Sequence, residues 1–156
     1  MNPQEFGVLF AANSIGVVAG VQVSARLAKY FGPQWIMAVA ICLLVVFGTA
    51  IVVTDLLQLG LWAVLIPLWC FITTCGFIFP LVQVLALSNH PKEAGTAASV
   101  LGAMNFGLAG AISPIVGVLG IQTAIPMGSV MAVTACVSVL SLWLIVRPWT
   151  VPPLVR

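Results

Sequence analysis

Four polar side chains, Asn13, Thr73, Gln83 and Asn105, lie inside long apolar runs and are the residues through which this chain could contact a solute. In a low-dielectric interior, an amide or hydroxyl either bonds a neighbouring helix or lines a polar cavity. Both uses stay open for Asn13. Gln83 and Thr73 are the leading pathway candidates, and Asn105 joins them from the edge of a face of small residues. Catalytic chemistry lacks its parts. His90 is the only histidine, every carboxylate falls outside the apolar runs, and no serine stands in a nucleophile motif. His90 sits in SNHPKEAGT, where Ser88 or Asn89 can cap a helix, Pro91 suits its first turn and Glu93 complements its positive end. A loop role is expected for it, since it has no companion ligands. Cys42, Cys70, Cys75 and Cys136 lack Cys-x-x-Cys spacing and read as small apolar side chains. No enzyme activity, cofactor or metal is expected.

The elements that position these side chains must be membrane helices. The chain has 156 residues, 62% hydrophobic and 5% charged, with a mean hydropathy of +1.24. A soluble domain carries about a quarter of its residues as charge. The net charge of +2 is scattered and forms no basic patch, which argues against a nucleic-acid partner. The start, MNPQEFG, has no basic region of a secretory signal, so the run after it should be retained.

A span needs about 20 apolar residues to cross roughly 30 Å of hydrocarbon. Five are expected, at Phe6 to Ala25, Trp35 to Thr54, Leu61 to Leu87, Ala97 to Ile121 and Ile125 to Val146. The runs are continuously apolar, without barrel-wall alternation, so backbone satisfaction in lipid leaves helices. Short linkers make successive spans antiparallel. Arg26, Lys29, Lys92, Arg147 and Arg156 then share one side, which the positive-inside rule names cytoplasmic, while Glu5 and Asp55 face out. Tyr30, Trp35, Trp143 and Trp149 mark the cytoplasmic boundary and Trp62 the outer one. Trp69 lies deeper and should pack within the bundle. This topology puts Met1 outside, from which helices missing from the front are expected.

The spans differ in kind. The second and fifth carry no Asn, Gln or ionisable residue and are expected at the periphery, against lipid. In the first, Asn13, Gly16, Gly20 and Ser24 share a face, and Gly16 with Gly20 makes a small-xxx-small pair for close helix contact. The third has a face of Trp69, Thr73, Gly76, Pro80, Gln83 and Leu87, and Pro67 and Pro80 each remove a helix hydrogen bond, giving a static kink or a flexible joint. The fourth, GTAASVLGAMNFGLAGAISPIVGVLG, collects Gly95, Ser99, Gly102, Gly110, Ser113, Gly117 and Gly120 around Phe106 on one side. Leu101, Met104, Leu108 and Ile112 fall on the other. This helix reads as one packed wall of a bundle, with Pro114 freeing the carbonyl near Gly110.

Residues 76 to 120, with the block GFIFP, the turn HPKEAGTAAS and a glycine-rich helix reaching SPIVG, resemble the tenth and eleventh helices of Bcr/CflA-type multidrug efflux proteins of the major facilitator superfamily. FAANSIGVVAGVQVSARLAKYFG resembles their eighth helix and the loop after it. The resemblance implies an all-α, polytopic transmembrane bundle in which these five spans are helices eight to twelve of a 12-helix major facilitator fold. It implies proton-driven export of drugs or small metabolites across the inner cell membrane by alternating access. The partners implied are the lipid bilayer, a missing N-terminal half, a small-molecule substrate and protons. One departure stands out: Ser24 occupies the position of an acidic residue in the fuller form of the superfamily's loop motif, which Gly20 and Lys29 otherwise match. Its gating salt bridge cannot form from this segment alone, and no ionisable group for proton coupling lies within the spans. The alternatives are a self-contained five-span protein that oligomerises as a channel or transporter, and a scaffold component without transport.

Overall fold

The computed structural model describes residues 3–87, 93–118 and 125–146, and among these it has five helices long and apolar enough to cross a membrane. They are α1 (Pro3–Phe31), α2 (Pro33–Leu56), α3 (Leu61–Leu87), α4 (Ala94–Val118) and α5 (Ile125–Ser141), the last continued by a π-helical turn over Leu142–Val146. The third and fifth expected spans match these bounds, counting the π turn with α5. α1 runs further than its apolar core because nothing stops it before Gly32, whose φ of 76° suits glycine and reverses the chain. Pro33 then opens α2. The Gln34 side chain folds beneath Gly32, its Oε1 3.2 Å from where a Cβ at residue 32 would lie.

Helices α1 and α3 run parallel and touch through backbone. A Cβ on Gly16 would strike the Thr73 hydroxyl, one on Gly20 the Thr73 carbonyl, and one on Gly76 would lie 2.6 Å from the Val17 carbonyl oxygen. Helices α2 and α5 run antiparallel through a second glycine contact, Gly48 against Ala132 and Gly128 against Ile51 and Val52. Between these pairs, α2 and α3 meet through aliphatic packing. Leu44, Ile51, Phe71 and Ala135 form one buried cluster, and Ile36, Met37, Ala38, Ile41, Leu81 and Leu142 another. The second cluster joins the start of α2 to the ends of α3 and α5. With Leu27 and Ala28 packed against it, those ends lie together with the end of α1 that carries Arg26 and Lys29.

One expectation is narrowed and one corrected. The second span is only partly peripheral: α2 packs against both α3 and α5 and buries Ile36, Met37, Ala38, Ala40, Ile41, Leu44, Gly48 and Ile51, while Trp35, Val39, Leu43, Val46 and Val53 keep its other face exposed. Absence of polar residues cannot separate a lipid-facing helix from one enclosed by apolar helices, because both surroundings are hydrocarbon. Its hydroxyls ask nothing of neighbours either, since Thr49 and Thr54 donate to carbonyls of their own helix at 2.8 Å. The fifth span does keep Val133, Val137 and Leu140 exposed. The correction concerns α4, none of whose described residues is buried. Gly95, Gly102, Gly107 and Gly110 have nothing within 4 Å of an added Cβ, and Phe106 is 80% exposed. The small face of α4 is therefore not a packed wall within the described part of this chain. Its Ala98, Leu101, Gly102 and Asn105 line a groove that the helix shares with α3.

Candidate functional site

Gln83 and Asn105 are brought together. They line a groove of about 330 Å³ between the basic-end half of α3 and the first half of α4. Phe79 and Val82 extend the α3 wall, and Leu101 and Gly102 the α4 wall. Helical spacing explains the placement. Phe79 and Gln83 are four apart on α3, as are Ala98 and Gly102, and Leu101 and Asn105, on α4, so each set projects from one side. Both amides are exposed to the groove. Each offers two N–H donors and a carbonyl acceptor, and among the described residues no ionisable side chain lines the groove. Such a site can orient an uncharged polar group against apolar walls.

Thr73 and Asn13 lie elsewhere. The Thr73 hydroxyl is closed off at the α1–α3 contact against Gly16, with no hydrogen-bond partner. Asn13 is half-buried on α1, one turn before Gly16. Above them, Trp69 donates its indole N–H to the Ala12 carbonyl at 2.9 Å, tying the two helices together while its ring stays 42% exposed. Below them, Ser24 is fully buried and donates to the Phe77 carbonyl at 2.8 Å. Pro80 removes the helix hydrogen bond to the Gly76 carbonyl, one residue before Phe77, and the Ser24 hydroxyl adds a donor to the α3 backbone beside that gap. A carboxylate at position 24 would turn lone pairs toward the Phe77 oxygen. The residue that departs from the resemblance's motif is thus one that ties α1 to α3.

Pro67 is buried in α3, and Pro114 lies in α4 one turn after Gly110. Arg26 and Lys29 are exposed at the end of α1. Gly117 falls within α4, while His90, Lys92, Gly120, Arg147, Trp149 and Arg156 lie outside the described residues. Among the described residues, no three His, Cys, Asp or Glu side chains come together. Sequence reasoning missed the α2–α5 contact. Its signal was present in α5, where Gly128 and Ala132 stand four apart, the same spacing that marks Gly16 and Gly20.

No family model matches the chain, and no solved structure matches it. Over 141 residues, 90% of the chain, it is 25% identical to the MFS-type transporter YdgK of Bacillus subtilis (strain 168), of which it covers 35%. The chain is similar to membrane transporters. A further relative, the bicyclomycin resistance protein homolog of Haemophilus influenzae (strain ATCC 51907 / DSM 11121 / KW20 / Rd), is 26% identical over 137 residues, 88% of the chain and 34% of that protein. The chain spans about a third of the length of these curated relatives.

Proposed function

We propose that these five helices are the eighth to twelfth of a twelve-helix major facilitator transporter of the Bcr/CflA type, which exports drugs or small metabolites by alternating access. The carrying observation is the likeness over nine tenths of the chain to two proteins, an MFS-type transporter and a bicyclomycin resistance homolog, each about two and a half times as long. In this reading Gln83 and Asn105 contact the solute, and α3 and α4 bend at Pro80 and Pro114 as the halves rock. The groups that carry protons belong to the remainder of the protein in this reading, which agrees with the lack of an ionisable side chain among the described residues lining the α3–α4 groove. The basic ends, with Arg26, Lys29, Lys92 and Arg147, face the cytoplasm of an inner-membrane protein, and the C-terminus lies on that side.

The experiment has two arms. Reading the genomic sequence upstream of the Met1 codon should reveal seven further apolar spans in frame. In vesicles bearing a proton gradient, the 156-residue chain alone should export no drug, whereas the joined protein should. Robust proton-dependent efflux by the chain alone would overturn the proposal and favour a self-contained, oligomeric transporter.

A further inference from the structure

We propose that the groove between the starts of α1 and α3 binds a compact lipophilic organic cation, held between the Glu5 carboxylate and the Trp62 ring. The groove has a volume of about 490 Å³, and Glu5 and Trp62 both line it, together with Gln4, Val8 and Leu9 of α1 and Leu65 of α3. Helical spacing makes the α1 wall: Gln4 and Val8, and Glu5 and Leu9, are each four apart, so all four project from one side. Each part of the lining answers a different part of such a ligand. The carboxylate attracts the charge, and the negative face of an indole attracts a cation within about 6 Å of it. Gln4 offers a carbonyl acceptor, and Val8, Leu9 and Leu65 offer hydrocarbon. Trp62 is 73% exposed and Val8 69%, so ring and wall are open to a ligand.

The charge at this end of the bundle favours a cation. The starts of α1 and α3 each carry about half a positive charge, and the end of α2, which lies on the same side, about half a negative one. Glu5 in the first turn of α1 and Asp55 in the last turn of α2 add two carboxylates, so the sum is negative. Among the described residues, the basic side chains are Arg26 and Lys29. They stand at the other end of α1, about 30 Å from Glu5 at 1.5 Å per residue.

Length selects a small ligand. From Glu5 to Leu9, and again from Leu61 to Leu65, the walls follow their helices for about 6 Å. One leaflet contributes about 15 Å of hydrocarbon, half of the roughly 30 Å core. The groove is thus too short to seat a lipid acyl chain and long enough for an alkyl or aryl group. It is also separate from the amide groove, since Leu65 and Gln83 stand about 27 Å apart along α3. Binding here does not depend on the transporter reading.

The test uses the full chain in dioleoylphosphatidylcholine vesicles, with its amino terminus acetylated so that the amine of Met1 is no rival to the ligand. The probe is N-hexylpyridinium, a cation that quenches indole fluorescence on contact, and N-hexylacrylamide is its uncharged counterpart. Trp62 fluorescence is taken as the difference between the parent protein and Trp62→Phe. Glu5→Gln should raise the concentration of N-hexylpyridinium at half-quenching about threefold and leave that of N-hexylacrylamide unchanged. Glu5→Asp should keep the parent's preference for the cation. Asp55→Asn removes a carboxylate that shares this end of the bundle but does not line the groove, and it should move neither curve. Val8→Phe, at an exposed position that tolerates a larger ring, should weaken quenching by both probes. A cation curve unmoved by Glu5→Gln, or moved equally by Asp55→Asn, would overturn Glu5 as the partner of the charge. Quenching unmoved by Val8→Phe would overturn the groove as the place of binding.

Discussion

Replacing Gly76 with alanine sets the α1–α3 contact against the open face of α4. The new Cβ would lie 2.6 Å from the Val17 carbonyl oxygen and 3.1 Å from the Val17 Cα, whereas ordinary contact begins near 3.4 Å. Both neighbours are backbone, so no side chain can swing aside, and α1 must withdraw by about 0.8 Å. That withdrawal loosens the seating of Gly16 and Gly20 around Thr73 and stretches the Trp69–Ala12 and Ser24–Phe77 hydrogen bonds. Overpacking of this kind costs about 1–3 kcal/mol. Gly110→Ala is the matched control, because its Cβ meets nothing within 4 Å. Both substitutions are glycine to alanine in a helix interior, so the change in helix propensity, about 1 kcal/mol, largely cancels between them. The expected difference is therefore the packing term, with Gly76→Ala the less stable by about 1–3 kcal/mol. Reversible unfolding of the isolated chain in mixed micelles, followed by helical circular dichroism, measures it. Equal stabilities for the two variants would refute the reasoning.

Ser24→Ala should cost about 1 kcal/mol by removing the hydroxyl bond from α1 to the Phe77 carbonyl, and Ser24→Asp more, measured in the same titration. Gly128→Val should separate α2 from α5, because even a Cβ at 128 would sit 2.8 Å from the Ile51 side chain; a spin-label pair across that contact should report the longer distance. Cysteines placed at Gln83 and Asn105 should be bridged by a short bifunctional thiol reagent, whereas a pair at Gln83 and Phe106 should not, with bridging read as a gel shift. In a transport-competent protein, Gln83→Leu with Asn105→Leu should lower drug export several-fold at unchanged protein level, measured as efflux from loaded vesicles.

Span number and type were legible in composition, since long apolar runs in lipid leave only helices, and the bounds of α3 and the α5–π segment could be read directly. The close α1–α3 contact was legible as well, in the four-residue spacing of Gly16 and Gly20. What could not be read was which apolar helix lies inside. Ile36, Ile41 and Leu44 face protein while Val39, Leu43 and Val46 are exposed, and nothing in their chemistry distinguishes the two environments. The site was half visible. Gln83 and Asn105 stood out as amides within apolar runs, but whether Thr73 faced them or α1 depended on a rotation of α3 that its polar residues alone do not set. Ser24 stood out as a departure from a motif, and its partner, the carbonyl of Phe77, lies 53 residues away in sequence.

The loose seating of α4 bears on how this segment survives in a cell. It is the least apolar of the five candidate spans, and none of its described residues is buried against the others. A helix of that kind is marginal for release from the insertion machinery into lipid and gains its hold from neighbours. Without them, it presents backbone at Gly102, Gly107 and Gly110 to membrane-embedded proteases. The lifetime of the chain should then be set by this one helix, and a companion covering its glycines would act on abundance before it acts on any rate of transport.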